Sequence, residues 1–385
     1  MTSDAGRPRA RAGLGALVVS LGVLAAACGS PSSAPPPTTV GRAATTVPGT
    51  SGASATAPDS TTTAPTTTTT TIPLSTTTTT LPVAVPVGGT RPGGGYGYLG
   101  SIRRVPVVAI PDGSLVPPPT AGSAPGPAPG SVLVAFRQFG SGPDLLLVAG
   151  EHTTLTSWDP QLLGELAQHY TVTVFDYPGT GFSGPDPAAT TVADVADVAA
   201  GLSQALGLVS PVVLGWGLGG QVALALAERH PGVASRLVLV DSGPGGLGAT
   251  RPSAAVSSAM ASSMQTDLQI ASLMFPPTAT ASIDGWLARV AKVPRDDLVA
   301  SAVHDEAVLQ ASAWADASLE AGLGALAVPV LVVVGSLDEV FPPANDLVLL
   351  EDLRDARDLV LPGAGYAAMF QDAPQFVAAL ETFTG

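Results

Sequence analysis

From residue 131 onward the apolar residues of this chain fall into short unbroken runs rather than alternating with polar ones. Residues 132–136, 145–148, 172–175, 212–214, 237–240, 328–334 and 358–361 read as strands, each rich in Val and Leu. Residues 162–169, 192–206 and 218–230 carry helical spacing, and a further helix follows each of the last two strands. A strand that is apolar on both faces must be covered on both. Such strands alternating with helices predict an α/β fold, a mostly parallel sheet with helices on both faces. A helical, apolar insert at about 250–324 interrupts the alternation and predicts a cap; its apolar residues include Met260, Met264, Leu268, Met274, Phe275, Trp286 and Trp314. They suit either an irregular apolar pocket or ordinary packing of cap on sheet.

Before residue 131 the pattern is different. Residues 31–82 are Thr, Ser, Pro and Ala, with threonine runs at 66–71 and 76–80. So few apolar side chains cannot offset the entropy of ordering, and this predicts a disordered, partly polyproline-like stalk. Extended at roughly 3.1 Å per residue, it reaches on the order of 150 to 200 Å. Residues 83–130 are broken by proline and read as linker, with Val105-Pro106-Val107-Val108-Ala109-Ile110 a candidate edge strand. The predicted division is 1–27 signal peptide, 28–130 stalk and 131–385 folded domain.

The formal net charge is −14 and Lys292 is the only lysine. A nucleic-acid partner requires a basic stripe, which this composition excludes. Arg7, Arg9 and Arg11 precede an apolar run at 12–27 that is short for a membrane span, the arrangement of a secretory signal. Leu24-Ala25-Ala26-Ala27-Cys28 resembles a bacterial lipobox, with Ala25 where leucine is usual, and Cys28 is the sole cysteine. The resemblance implies cleavage before Cys28 and acylation of its sulfur. That would place the mature chain on the extracytoplasmic face of a bacterial cell membrane, held by a lipid anchor. Losing residues 1–27 takes the formal charge from −14 to −16, and one cysteine allows no internal disulfide.

Four motifs carry the candidate chemistry. Gly215-Trp216-Gly217-Leu218-Gly219-Gly220 stands between a strand and a helix; Asp176-Tyr177-Pro178-Gly179-Thr180-Gly181 follows another strand. Gly335-Ser336-Leu337-Asp338 and Pro362-Gly363-Ala364-Gly365-Tyr366 follow the last two. In this order they resemble the α/β-hydrolase fold family over about 131–385. The resemblance implies a nucleophile at Gly217, an acid at Asp338 and a histidine at Tyr366. It also implies backbone oxyanion donors at Leu218 and Glu151, and Ala149 stands where the family has the histidine of a His-Gly pair. Glycine offers no attacking atom, and a phenol of pKa about 10 is protonated at neutral pH. Of the triad positions only Asp338 keeps its chemistry.

The expectation is therefore a pseudo-hydrolase that binds a small apolar ligand or an envelope protein. The alternative is a hydrolase of small ester-like substrates acting through Asp338, Asp241 or His152. His152, Trp216 and Met369 are the candidate pocket residues. Ser242 is expected to cap its turn, and His169, His230 and His304 lie away from the strand tips or in the insert. Nothing points to a metal or an organic cofactor.

Overall fold

The chain divides into two units, Met1–Leu74 and Ser75–Gly385. The computed structural model describes residues 101–111, 130–151, 153–186, 189–261, 266–293 and 303–385, all in the second unit. The expected signal, Cys28 and the Thr/Pro stalk lie outside the described residues, as do Met264 and His152.

Eight strands form one sheet: β1 (Arg103–Val108), β2 (Ser131–Gly140), β3 (Asp144–Val148), β4 (Thr171–Phe175), β5 (Val212–Trp216), β6 (Arg236–Val240), β7 (Val330–Gly335) and β8 (Ala356–Leu361). Their spatial order is β1-β2-β4-β3-β5-β6-β7-β8. The pairs β1–β2 and β2–β4 are antiparallel, and every other pair is parallel. The candidate edge strand within 83–130 is β1, so the sheet begins ahead of the expected domain start at 131.

The two-residue period of a strand sends alternate side chains to opposite faces. Leu145, Leu147, Leu214, Trp216, Val238, Val240 and Val333 join one buried cluster, and Leu146, Val148, Val213, Leu237, Leu239 and Val332 join the other. The first face is covered by α1 (Pro160–Leu166) and α11 (Ala373–Thr384), the second by α2 (Val192–Leu206) and α3 (Leu218–Arg229). A Thr191/Asp194 capping box opens α2, and Gly207 closes it in the left-handed conformation with φ 67°.

The insert supplies α4 (Ala254–Met260), α5 (Asp267–Met274), α6 (Thr280–Val290), α7 (Val303–Ala315) and α8 (Ala317–Gly322). Met274, Phe275 and Trp286 pack on the α1/α11 side and Ala313 and Leu319 on the α2/α3 side, whereas Leu268 is exposed. The bidentate pair Arg289–Asp159, with Nε–Oδ1 2.8 Å and Nη2–Oδ2 2.5 Å, fastens α6 to the start of α1. Beyond β7, α9 (Ala344–Asp352) leads to β8, and α10 (Ala368–Gln371) precedes α11.

β1 is held against α2 where Gly201 lets two backbones meet: a Cβ there would stand 2.2 Å from the Val108 carbonyl oxygen. Gly201→Ala is therefore expected to destabilise the domain by about 1–3 kcal/mol, with the loss concentrated at β1. Denaturant titration combined with amide exchange checks this. Unchanged protection of β1 would count against the packing described.

Candidate functional site

The turn from β5 into α3 depends on two close approaches. A Cβ on Gly215 would lie 2.2 Å from the Gly219 carbonyl oxygen, and one on Gly219 would lie 2.1 Å from that of Val148. These glycines let α3 pass directly over the ends of β3 and β5. At the tip, Gly217 takes φ 55° and ψ −120°, a conformation costly for any residue with a Cβ. Its N–H donates to the Val240 carbonyl at 3.0 Å, and its carbonyl accepts from Ser242 Oγ at 2.6 Å. Ser242, expected to cap its turn, instead pins the elbow.

The space over Gly217 is filled. A Cβ built there would be 2.0 Å from Tyr366 Oη and 2.7 Å from Glu151 Oε2. Tyr366 Oη donates to Glu151 Oε2 at 2.5 Å, and both residues are 5% exposed. Burial and the neighbouring Glu151, Asp338 and Asp241 carboxyls push the Tyr366 phenol well above its ordinary value. The ring is held on both sides, with centroids 4.9 Å from Trp216 and 6.1 Å from Phe341. Trp216 Nε1 donates to the Tyr366 carbonyl at 2.7 Å.

The cap closes this arrangement from above. The Gln310 amide nitrogen on α7 donates to Glu151 Oε1, and its oxygen accepts from Trp314 Nε1 at 3.1 Å. In this orientation the Gln310 oxygen lies 3.1 Å from the end of the Gln221 side chain on α3, a hydrogen bond only with the Gln221 amide turned so that its otherwise unpartnered nitrogen donates. Sequence reasoning missed this network. Gln310 and Gln221 are 89 positions apart, and only the fold brings an ordinary helix-face glutamine to the elbow.

Beside the tyrosine lie the buried carboxyls of Asp338 and Asp241, with that of Asp346 close to those two. Asp338 Oδ1 accepts from the Val340 and Phe341 amides at 2.7 and 3.1 Å, while its Oδ2 is buried without a hydrogen-bond partner. Asp241 has φ 47° and bridges the Gly335 and Ala368 amides at 2.8 and 2.9 Å, tying β7 to α10. Asp346 on α9 also has a buried, unpartnered Oδ2. Burial raises Asp241 and Asp338 well above the usual carboxylate range; repulsion from Asp346 adds to it at Asp241, and from Asp241 and Asp346 at Asp338. Burial pushes Asp346 up to about 8.

The structure thus brings Gly217, Tyr366, Glu151 and Asp338 together. Leu218 opens α3 and is fully buried, and Met369 and Trp216 are buried within the core. Of the remaining histidines, His230 pairs with Asp197 at 2.8 Å, His169 pairs with Glu381, and His304 falls on α7. Among the described residues no group of three or more His, Cys, Asp and Glu is placed to hold a metal ion.

A family model described as alpha/beta hydrolase fold matches residues 143–373, more than half of the chain. The chain belongs to the α/β-hydrolase fold family. It is similar to the pimeloyl-[acyl-carrier protein] methyl ester esterase of Aeromonas hydrophila, 30% identical over 270 residues, covering 66% of this chain and 99% of that one. It also resembles polyketide synthase ThaQ of Burkholderia thailandensis, 30% identical over 267 residues, covering 66% of this chain and 12% of that much longer protein. Among solved structures, an alpha/beta hydrolase fold protein from Chitinophaga pinensis superposes with a TM-score of 0.57 at 23% identity, over 66% of this chain and 94% of that one. In this α/β-hydrolase-fold protein, Gly217 stands at the turn from β5 into α3.

The raised carboxyls give a stability prediction with a definite sign. An aspartate that ionises near 3.9 when unfolded but near 8 when folded holds an extra proton in the native state between those values. Its contribution is complete below about pH 4 and is lost as pH rises through about 8. Stability should therefore fall from pH 5 to 9, with a slope from this one group of up to about 1.4 kcal/mol per pH unit. Asp346→Asn, which mimics the protonated form, should flatten the slope. Denaturation midpoints at a series of pH values check this; a stability that rises with pH would contradict it.

Proposed function

We propose that this protein is a lipid-anchored, extracytoplasmic pseudo-hydrolase that uses an α/β-hydrolase fold for binding rather than for catalysis. The observation that carries this reading is the Tyr366–Glu151 pair seated where the side chain of residue 217 would project. Acyl transfer needs an attacking atom, a base within reach of it and an acid that orients the base. Position 217 supplies no atom, and Tyr366 supplies a phenol whose proton is held more tightly than usual.

The orphaned Asp338 Oδ2 supports reading 217, 338 and 366 as a degenerate triad. A buried carboxyl oxygen without a partner is uncommon, and this one belongs to the residue at the position the resemblance gives to the acid. Glu151 contributes a second obstacle. Its carboxyl lies 2.7 Å from where a Cβ at 217 would stand, an acidic group beside any carbonyl attacked from there and the reverse of what an oxyanion site requires. The likeness to an ester hydrolase favours a second reading, turnover through unorthodox residues such as Asp338 or Asp241. An elbow this closely filled serves an envelope protein or a small apolar ligand that displaces the plug.

The purified wild type should show no hydrolysis of short-chain aryl esters above background. Gly217→Ser alone should destabilise the protein, because its Cβ meets Tyr366 Oη, and should add no turnover. Gly217→Ser with Tyr366→His relieves that clash and offers Asp338 a partner, but Glu151 remains against the new hydroxyl. Slow turnover is expected once Glu151→Gly is added. Robust wild-type turnover that vanishes in Asp338→Ala would establish the unorthodox enzyme instead.

The anchoring part of the proposal rests on Cys28 behind its signal-like run. Cys28→Ala should leave the precursor unprocessed or move the protein from the membrane fraction to the soluble one. A membrane-bound wild type with no acyl mass on Cys28 would sink it. Among the described residues no helix is long and apolar enough to cross a membrane.

A further inference from the structure

A cavity of about 470 Å³ opens at the end of the sheet opposite the elbow. It is bounded by the starts of β3, β5 and β6, by the turn between α1 and β4, and by the last turn of α11. Val212, on its wall, is at the far end of β5 from Trp216, about 13 Å away along the strand, so the cavity is separate from the Tyr366–Glu151 cluster.

Two features set this cavity apart from an ordinary crevice. Ser210 on its wall has φ 42° although it carries a Cβ and directly precedes Pro211. The left-handed region is costly for such a residue, and proline further narrows the choices of the residue before it. A glycine would remove that strain, so a serine held there points to a use for its hydroxyl. The second feature is Arg236, the first residue of β6. Its guanidinium rests against the Phe383 ring, 5.9 Å from the centroid, and has no carboxylate or carbonyl partner among the described residues.

The charges around Arg236 decide what would fit. Glu381 is paired with His169, and Asp144 Oδ2 accepts the Val209 amide at 2.8 Å. With Glu381 set against His169, a net anion would still meet the Asp144 carboxylate, and a net cation would meet the guanidinium. A neutral ligand rich in hydroxyls meets no such penalty: it accepts from Arg236, Ser210 and Ser235 and donates to the free lone pairs of Asp144 and Glu381. The volume lies within the range of small-molecule sites and is of disaccharide size.

We propose that this cavity is a carbohydrate-binding site, taking a neutral saccharide of one or two rings. The experiment uses the purified folded chain and a panel of maltose, cellobiose, trehalose and lactose, with succinate and tert-butanol as charged and apolar controls. Binding is read by calorimetry and by NMR shifts of the lining residues. At least one sugar should bind saturably with millimolar affinity or better, and the controls should not. Arg236→Met should weaken that binding about tenfold. Ser210→Gly is the sharper variant, because it should raise the melting temperature by relieving strain while weakening the sugar about tenfold. A merely structural serine would give the first effect without the second.

Failure of every sugar to bind, tighter binding of succinate, or a sugar affinity unchanged in both variants would overturn the proposal. Tyr366→Phe, at the other end of the sheet, should leave sugar binding as it is. None of these outcomes depends on whether the elbow turns over esters.

Discussion

The architecture rests on how closely α3 crosses the ends of β3 and β5. With Gly215 and Gly219 in place, the helix backbone sits in contact with strand carbonyls, and the chain reverses direction within one residue at Gly217. Everything about the candidate site follows from that reversal. It lifts position 217 clear of the sheet and leaves a small space above it. The loops after β3 and β8 then decide what fills that space, and in this chain they fill it with Glu151 and Tyr366. Glycine at 217 leaves room for the tyrosine hydroxyl and the glutamate carboxyl to meet over it in a closed, hydrogen-bonded plug.

The plug has an electrostatic cost that the surroundings leave uncorrected. Glu151, Asp338 and Asp241 gather around one phenol, Asp346 repels the two aspartates in turn, and no basic group among the described residues offsets them. The cluster is tolerated because protons take the place of a counter-ion: the aspartates hold theirs far above their usual range. A buried carboxylic acid is a neutral group, and burying it costs much less than burying an unpaired charge.

Much of this was legible in the sequence. Unbroken apolar runs gave the parallel strands, because burial on both faces leaves no polar position to interrupt them. Residues 192–206 matched α2 residue for residue, bounded by a capping threonine and a glycine stop. The strand before the elbow ran two residues further than its apolar run, through Gly215 and Trp216, because glycine carries no strand signal of its own. That glycine stands at 217 and tyrosine at 366 was plain in the sequence. Their contact was not, since it depends on Glu151 folding back over a turn 66 positions later and on a cap glutamine far along the chain. The pairing of β1 was equally hard to see. Its proline and its short apolar run fit a linker as well as an edge, and only contact with Gly201 distinguishes them.

That edge strand also governs how the domain bears load. Tension arriving from the N-terminal side reaches the folded part first at Arg103, the end of β1 paired with Phe136. Arg104 Nε grips the Phe182 carbonyl at 2.7 Å near that end, and Val108 is seated on Gly201 at the other. A pull along the strand must therefore shear six residue pairs and two side anchors together, whereas a pull across the sheet would unzip them one at a time. The direction of such a pull sets the force at which β1 comes away from the sheet.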